Sequence, residues 1–215
     1  MLAQNGIDGT ILVQAAPTLS ETRELLRIAE QTPFVLGVVG WCDFEGSVAA
    51  ELIQDLAREP KLRGLRPMVQ DIADDDWLLR HSLRPALAEM VRLGLVFDAL
   101  VRPNHLCKVN ALAQCHPTLS IVVDHGAKPE IAAGDFDSWL QDIASVANNP
   151  NVVCKLSGLV TECGECWSLA QLNPVVQHLL ACFGPGRLLW GSDWPVLNLA
   201  ATYKEEPVLN FVFEA

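Results

Sequence analysis

The sequence predicts an α/β fold, a (β/α)8 barrel of the TIM type in which one strand is absent. Seven short runs rich in Val, Ile and Leu recur at spacings of roughly 30 residues, which is typical of β-α-β units. Such continuous apolar runs are expected of parallel strands that are covered on both faces. The predicted strands are Gly9–Ala15, Phe34–Gly40, Gly64–Val69, Leu95–Val101, Leu119–Asp124, Val152–Ser157 and Leu188–Asp193.

Helical spacing of apolar residues fills the gaps between these runs. The predicted helices are Leu19–Glu30, Val48–Arg58, Leu83–Leu93, Phe136–Ala147 and Pro174–Phe183. Ser20 is the expected N-cap of the first helix, and Gly94 the expected C-cap of the third. A doubly wound open sheet fits the same alternation. However, no Gly-x-Gly-x-x-Gly and no P-loop follows a strand, which disfavours nucleotide binding and favours the barrel.

Composition and charge narrow the functional classes. The chain has 215 residues, half of them hydrophobic, which suits a single domain over residues 1–215. Its net charge of −11 and the absence of a basic run argue against nucleic acid as a partner. No apolar run is long enough to span a membrane, and no secretory signal is visible. The seven cysteines are therefore expected to be reduced thiols of a cytoplasmic protein.

Ionisable side chains follow three of the predicted strands. Asp124 and His125 end the fifth run, Lys155 and Ser157 end the sixth, and Asp193 ends the seventh. Because the carboxyl ends of barrel strands meet at one rim, this pattern predicts an active site there.

Asp193 and His125 are the candidate catalytic residues. Asp193 is expected to act as a general base or a metal ligand, the alternative being a helix cap or a buried ion-pair partner. His125 could bind a metal or polarise a carbonyl, the alternative being a structural histidine. Trp190, Trp194 and Pro195 are expected to exclude solvent from Asp193.

Cationic side chains are the candidate substrate-binding groups. Lys155 and Ser157 share one strand face and are expected to point into the barrel, although Lys155 could instead form a structural ion pair. Arg66 is expected to lie deeper than Arg63, which is assigned to the surface; a guanidinium suits recognition of a carboxylate. The Cys163-x-x-Cys166 pair is not expected to bind metal or act in redox chemistry. The remaining histidines are expected to be solvated: His81, His105, His116 and His178.

Together these motifs resemble the amidohydrolase-related lactonases, a branch of the metal-dependent hydrolase superfamily that opens sugar-acid lactones and 2-pyrone-4,6-dicarboxylate. The matching segments run in family order and cover nearly the whole chain to about Tyr203. They are Val39-Gly-Trp-Cys-Asp43, Arg63-Gly-Leu-Arg66, Gly94-Leu-Val-Phe-Asp98, Asp124-His-Gly-Ala-Lys-Pro129, Cys154-Lys-Leu-Ser-Gly-Leu159 and Trp190-Gly-Ser-Asp-Trp-Pro-Val196.

The resemblance implies a hydrolase acting on the carboxylic ester of an aldonolactone, such as a fuconolactone or a rhamnonolactone. Asp193 would deprotonate the attacking water, and His125 would polarise the lactone carbonyl or bind a metal. Lys128 and Arg66 would hold carboxylate or hydroxyl groups of the substrate. The full set of expected substrate-binding residues is Arg66, Lys128, Lys155, Ser157, Trp41 and Trp194.

The chain also departs from the family pattern. It contains no His-x-His, which in the family ends the first strand, and it lacks the usual last helix, so we expect a barrel domain truncated at both ends. His125 and Asp193 supply two ligands where zinc normally needs three or four, so we expect divalent metal to be absent or weakly bound. A binding protein without activity, or a decarboxylase of the same superfamily, remains an alternative. The open strand edges would favour a homo-oligomer.

Overall fold

The fold is built on a sheet of seven parallel strands that follow one another in chain order. The computed structural model describes residues 6–134, 136–164 and 167–201. The order β1 to β7 never reverses, which is the winding of a barrel and differs from that of a doubly wound sheet. All seven predicted strands are present. They are β1 (Thr10–Val13), β2 (Val35–Gly40), β3 (Leu62–Leu65), β4 (Val96–Ala99), β5 (Ile121–Val123), β6 (Val152–Leu156) and β7 (Leu188–Trp190). Six lie within shorter limits than predicted, whereas β3 begins two residues before the predicted Gly64 and ends at Leu65, four residues before the predicted end.

Six α-helices lie between these strands in the described part of the chain. They are α1 (Leu19–Gln31), α2 (Ala49–Leu56), α3 (Arg84–Leu93), α4 (Leu106–Cys115), α5 (Asp137–Ala147) and α6 (Leu169–Phe183). Helix α4 was not predicted from the sequence, although its buried residues recur at helical spacing. The predicted α6 starts five residues late at Pro174, which lies inside the helix. Ser168 caps α6 by accepting a hydrogen bond from the Gln171 N–H.

The N-cap predicted for α1 is wrong, and the C-cap predicted for α3 is confirmed. Thr18, not Ser20, caps α1, because Thr18 has extended backbone and its hydroxyl accepts the Glu21 N–H at 3.3 Å. Ser20 lies within the first turn of the helix. Gly94 ends α3 in the left-handed conformation, at a φ of 66°, and its N–H donates to the Met90 carbonyl.

The two faces of the sheet have different surroundings, and β6 shows the difference clearly. Val152, Cys154 and Leu156 are buried against the helices, whereas Val153 and Lys155 on the opposite face are half-buried. Lys155 therefore points to the inner side of the curved sheet, as the strand pattern predicts. Polar groups at the carboxyl ends of the strands consequently meet above this inner face.

Large side chains fill the space between the sheet and the helices. Phe97 and Trp139 are among the largest fully buried residues, and the Phe97 ring meets Phe44 edge-on with centroids 5.7 Å apart. Within the described residues no helix combines the length and the apolarity that crossing a membrane requires. The six described cysteines are free thiols, in agreement with the expectation of reduced cysteines.

Candidate active site

The structure brings together side chains from the ends of β5, β6 and β7. The His125 Nδ1 atom lies 2.9 Å from the Ser157 hydroxyl, and its Nε2 atom lies 3.8 Å from Asp193 Oδ1. The first distance is a hydrogen bond, and the second is too long for one. Asp193 and His125 therefore face each other across a gap while the imidazole is held from its other side.

Gly158 allows His125 and Asp193 to approach each other this closely. This role of Gly158 was not predicted from the sequence. Its φ is 62°, and a Cβ at this position would lie 2.5 Å from His125 Nδ1 and 3.1 Å from Asp193 Oδ2. A side chain would thus collide with both catalytic candidates. The Ser-Gly pair directly after an apolar strand is the sequence signal that could have identified it.

The backbone at both catalytic candidates is strained. His125 and Lys128 have φ of 52° and 53°, and Asp193 has a φ of 53°. Residues other than glycine rarely adopt this left-handed conformation, at a cost of roughly 1–3 kcal/mol each, and such residues cluster at functional sites. The buried Trp139 indole holds the loop in place by donating to the Gly126 carbonyl at 2.7 Å.

Arg66, Asp98, Asp124 and Lys155 form a buried ion network beneath His125. The Lys155 ammonium lies 2.6 Å from Asp98 Oδ2 and 2.5 Å from Asp124 Oδ1. Arg66 donates to Asp124 Oδ2 at 2.9 Å, and also to the carbonyl of Gln14 after β1. Two of the three cations predicted to bind substrate, Arg66 and Lys155, are therefore engaged by protein carboxylates. For Lys155 this is the structural ion pair that the sequence left open as an alternative.

Burial and charge shift the ionisation of this network. Burial, reinforced by the Asp124 charge, raises the pKa of Asp98 to about 7. Burial also opposes ionisation of Asp124, but the charges of Lys155 and Arg66 hold its pKa below the usual range. Burial lowers the pKa of His125 against the opposing charges of Asp124 and Asp193, which favours a neutral imidazole. The site therefore combines a neutral histidine with an ionised carboxylate beneath it.

The other predicted contact residues lie at the same rim of the sheet. Trp41 follows β2 and is half-buried. Its backbone N–H donates to the Thr22 hydroxyl at 2.7 Å. Trp194 is 60% exposed and Pro195 is exposed as well. Neither residue is itself buried, although the Asp193 side chain is only 17% exposed. Trp190 is half-buried.

The histidines outside the site are less solvated than expected. His105 is 2% exposed, and its Nδ1 atom accepts the Arg102 N–H at 3.1 Å. His178 is half-buried, with Nε2 2.8 Å from the Leu140 carbonyl oxygen, and His116 is half-buried. Only His81 is exposed. Of the Cys163-x-x-Cys166 pair, Cys163 is buried and Cys166 lies outside the described residues.

The donor set does not fit a catalytic zinc ion. A catalytic zinc site normally has three protein ligands and one open position. His125 and Asp193 are the two donors at the gap, and no group of three or more His, Cys, Asp or Glu residues suited to a metal occurs in residues 6–134, 136–164 and 167–201. The described residues thus supply at most a partial site.

Comparison with known proteins agrees with this architecture. L-fucono-1,5-lactonase from Burkholderia ambifaria is 48% identical over 203 residues, which are 94% of this chain and 70% of the relative. A crystal structure of an amidohydrolase from Burkholderia multivorans with bound HEPES superposes with a TM-score of 0.90 at 34% identity, covering 99% of this chain and 77% of that one. A second structure from that species contains zinc and gives a TM-score of 0.89 at 34% identity, covering 99% and 76%.

The amidohydrolase family model matches residues 1–215. The strand order, the polar strand ends and the similar structures are all consistent with that match. The chain therefore belongs to the amidohydrolase family.

Proposed function

We propose that this protein hydrolyses the ester of a sugar-acid lactone, with Asp193 as general base. The observation that carries the proposal is the 3.8 Å gap between Asp193 Oδ1 and His125 Nε2. At this separation an oxygen atom that lies off the line joining the two groups can be within hydrogen-bond distance of both, such as the oxygen of a water molecule or of a lactone carbonyl. The similarity to an L-fucono-1,5-lactonase supports an aldonolactone as substrate.

The reaction needs one water and two proton transfers. Asp193 accepts a proton from the water while the water oxygen attacks the carbonyl carbon. If Ser157 donates to Nδ1 of the neutral His125, the remaining proton is on Nε2, where it can stabilise the developing oxyanion. The ester C–O bond then breaks, and the alkoxide takes up the proton from Asp193, which yields the open hydroxy acid.

Arg66 and Lys155 are assigned a positioning role rather than substrate contact, because protein carboxylates already engage both. Lys128 keeps the assignment to a substrate hydroxyl or carboxylate. It follows His125 in the same strained loop, is half-buried, and forms no ion pair among the described residues. Ser157 orients the imidazole, and Trp41 and Trp194 are proposed to line the rim.

The remaining expectations stay proposals. They are a single barrel-type domain over residues 1–215, a cytoplasmic location, a small-molecule lactone as partner rather than nucleic acid, and association of copies into a homo-oligomer. Binding of a lactone without turnover by the unmodified chain would instead favour a binding protein.

Replacing Asp193 by Asn tests the proposed base. Asn retains the shape and tolerates a positive φ, so the fold should persist, whereas kcat for an aldonolactone should fall about 1000-fold. Acid release followed with a pH indicator measures this. Asp55→Asn on the exposed face of α2 is the control and should match the unmodified chain. Undiminished turnover in Asp193→Asn would reject the role of Asp193.

Gly158→Ala should displace His125, because the new methyl group would lie 2.5 Å from its Nδ1 atom. We expect kcat/KM to fall roughly 100-fold, the cost of a small misplacement of a catalytic group. Gly134→Ala provides a matched control, since Gly134 has a φ of 69° and nothing within 4 Å of the added atom. Equal activity losses in the two variants would show that backbone strain, not the collision with His125, is responsible.

Asp98 should make stability depend on pH. Burial raises its folded-state pKa from the ordinary value of 3.8 to about 7, so the folded chain binds the extra proton at pH 5 and loses it by pH 8. The stability advantage of the unmodified chain over Asp98→Asn should thus shrink by about 2–3 kcal/mol from pH 5 to pH 8. Urea unfolding followed by tryptophan fluorescence measures it, with Asp55→Asn as control. A difference that does not change with pH would contradict the assignment.

We further propose that this chain binds divalent metal weakly, since the described donors complete only part of a zinc site. Protein purified without chelator and dialysed against metal-free buffer should contain well below one zinc per chain by atomic emission. Stoichiometric zinc that survives dialysis would refute this. Loss of that zinc in the His125→Asn variant would then place the ion at His125. The control is His81→Asn, which changes an exposed histidine and should retain the zinc.

A further inference from the structure

The loop after β6 places an acidic residue between two parts of the site. The short turn Val160–Cys163 packs against the turn Ile131–Ala133, which follows Lys128, and against the turn Val196–Leu199, which follows Asp193. Glu162 belongs to this turn. Its position is therefore set by the same packing that sets the two loops on either side.

The turn is fixed by local hydrogen bonds. The Thr161 hydroxyl donates to the Gly158 carbonyl at 2.9 Å, and the Glu162 N–H donates to the Leu159 carbonyl at 3.2 Å. Gly158 is the residue that lies against His125 and Asp193. The segment that carries Glu162 is thus anchored directly to the catalytic gap.

The Glu162 carboxyl group is half-buried and interacts with charges from three other strand ends. Burial raises its pKa, while the charges of Lys128 and Arg102 oppose that shift and the charge of Asp193 adds to it. Lys128 follows β5, Arg102 follows β4, and Asp193 follows β7. The Val160–Cys163 turn and the loops that carry Lys128 and Asp193 therefore border one space at the rim of the sheet.

The charge around this space does not suit an anionic substrate. The deeper cations, Arg66 and Lys155, are compensated by Asp124 and Asp98. At the rim, the carboxylates of Glu162 and Asp193 offset the positive charges of Lys128 and Arg102. Carboxylates beside cations form hydrogen bonds to hydroxyl groups, which both donate and accept, whereas a substrate carboxylate would meet the Glu162 carboxylate and no uncompensated cation.

We propose that Glu162 is a specificity-determining residue, which accepts a hydrogen bond from a ring hydroxyl of a neutral aldonolactone and disfavours lactones that carry a carboxylate. This inference rests on the proposed lactonase function. The inference adds one specificity-determining side chain to the proposed lactonase site. It also predicts that the site prefers neutral polyhydroxylated lactones to acidic ones.

The test compares a neutral aldonolactone with an aldarolactone, which has the same kind of ring and one added carboxylate. Glu162→Gln removes the charge but retains a hydrogen-bond acceptor. We expect the ratio of kcat/KM for the neutral over the acidic lactone to fall roughly tenfold. Most of the change should appear in KM, because Glu162 contacts a hydroxyl and not the reacting carbonyl. Glu51→Gln on the exposed face of α2 is the matched control and should leave the ratio unchanged.

An unchanged ratio in a folded and active Glu162→Gln variant would overturn the inference. Absence of lactone turnover in the unmodified chain would instead overturn the proposed function, so the two failures are distinct. Should the variant not fold, the unmodified chain supplies a second readout. Its discrimination against the acidic lactone should weaken as salt rises from about 20 mM to about 500 mM, because salt screens charge repulsion at a partly exposed site. Discrimination that does not respond to salt would also overturn the inference.

Discussion

The Asp124 carboxylate is the group on which the rest of the site depends. One of its oxygens lies against the Lys155 ammonium and the other accepts from Arg66, so a single side chain after β5 joins the ends of β3 and β6. Lys155 extends the connection to Asp98 on β4. Removing one partner of such a buried ion pair costs about 3–5 kcal/mol, because the other charge is left unpaired. The network therefore fixes the base of the loop that begins with His125.

Most of the fold could be predicted from the sequence because each strand is a short apolar run with turn residues on both sides. Seven parallel strands in the expected places follow from that pattern. Helix α4 was missed although its buried residues, Leu106, Val109 and Leu112, recur at helical spacing, because the helix has only ten residues and no capping side chain marks its start. The cap at Thr18 was missed because Thr18 and Ser20 are both good capping residues, and only the backbone conformation distinguishes them.

The candidate site could be predicted less completely. Strand ends indicated that Asp193, His125 and Ser157 would meet, since parallel strands deliver their carboxyl ends to one rim. The partners of Arg66 and Lys155 could not be read from the sequence, because contacts between residues 57 or 58 positions apart depend on the curvature of the sheet. The role of Gly158 was not predicted for the same reason, because it depends on how closely His125 and Asp193 approach this residue in the fold.

A double-mutant cycle on Asp193 and His125 tests whether these two residues act as a unit on one water molecule and one carbonyl group. The quantity measured is kcat/KM for an aldonolactone. Asn is the suitable replacement at both positions, because both have positive φ and Asn tolerates it. Residues that act as a unit give strongly non-additive losses. If the two residues act as a unit, kcat/KM of the double variant should lie within about twofold of the poorer single variant. Losses that multiply would show two independent contributions and would contradict the claim that they act as a unit.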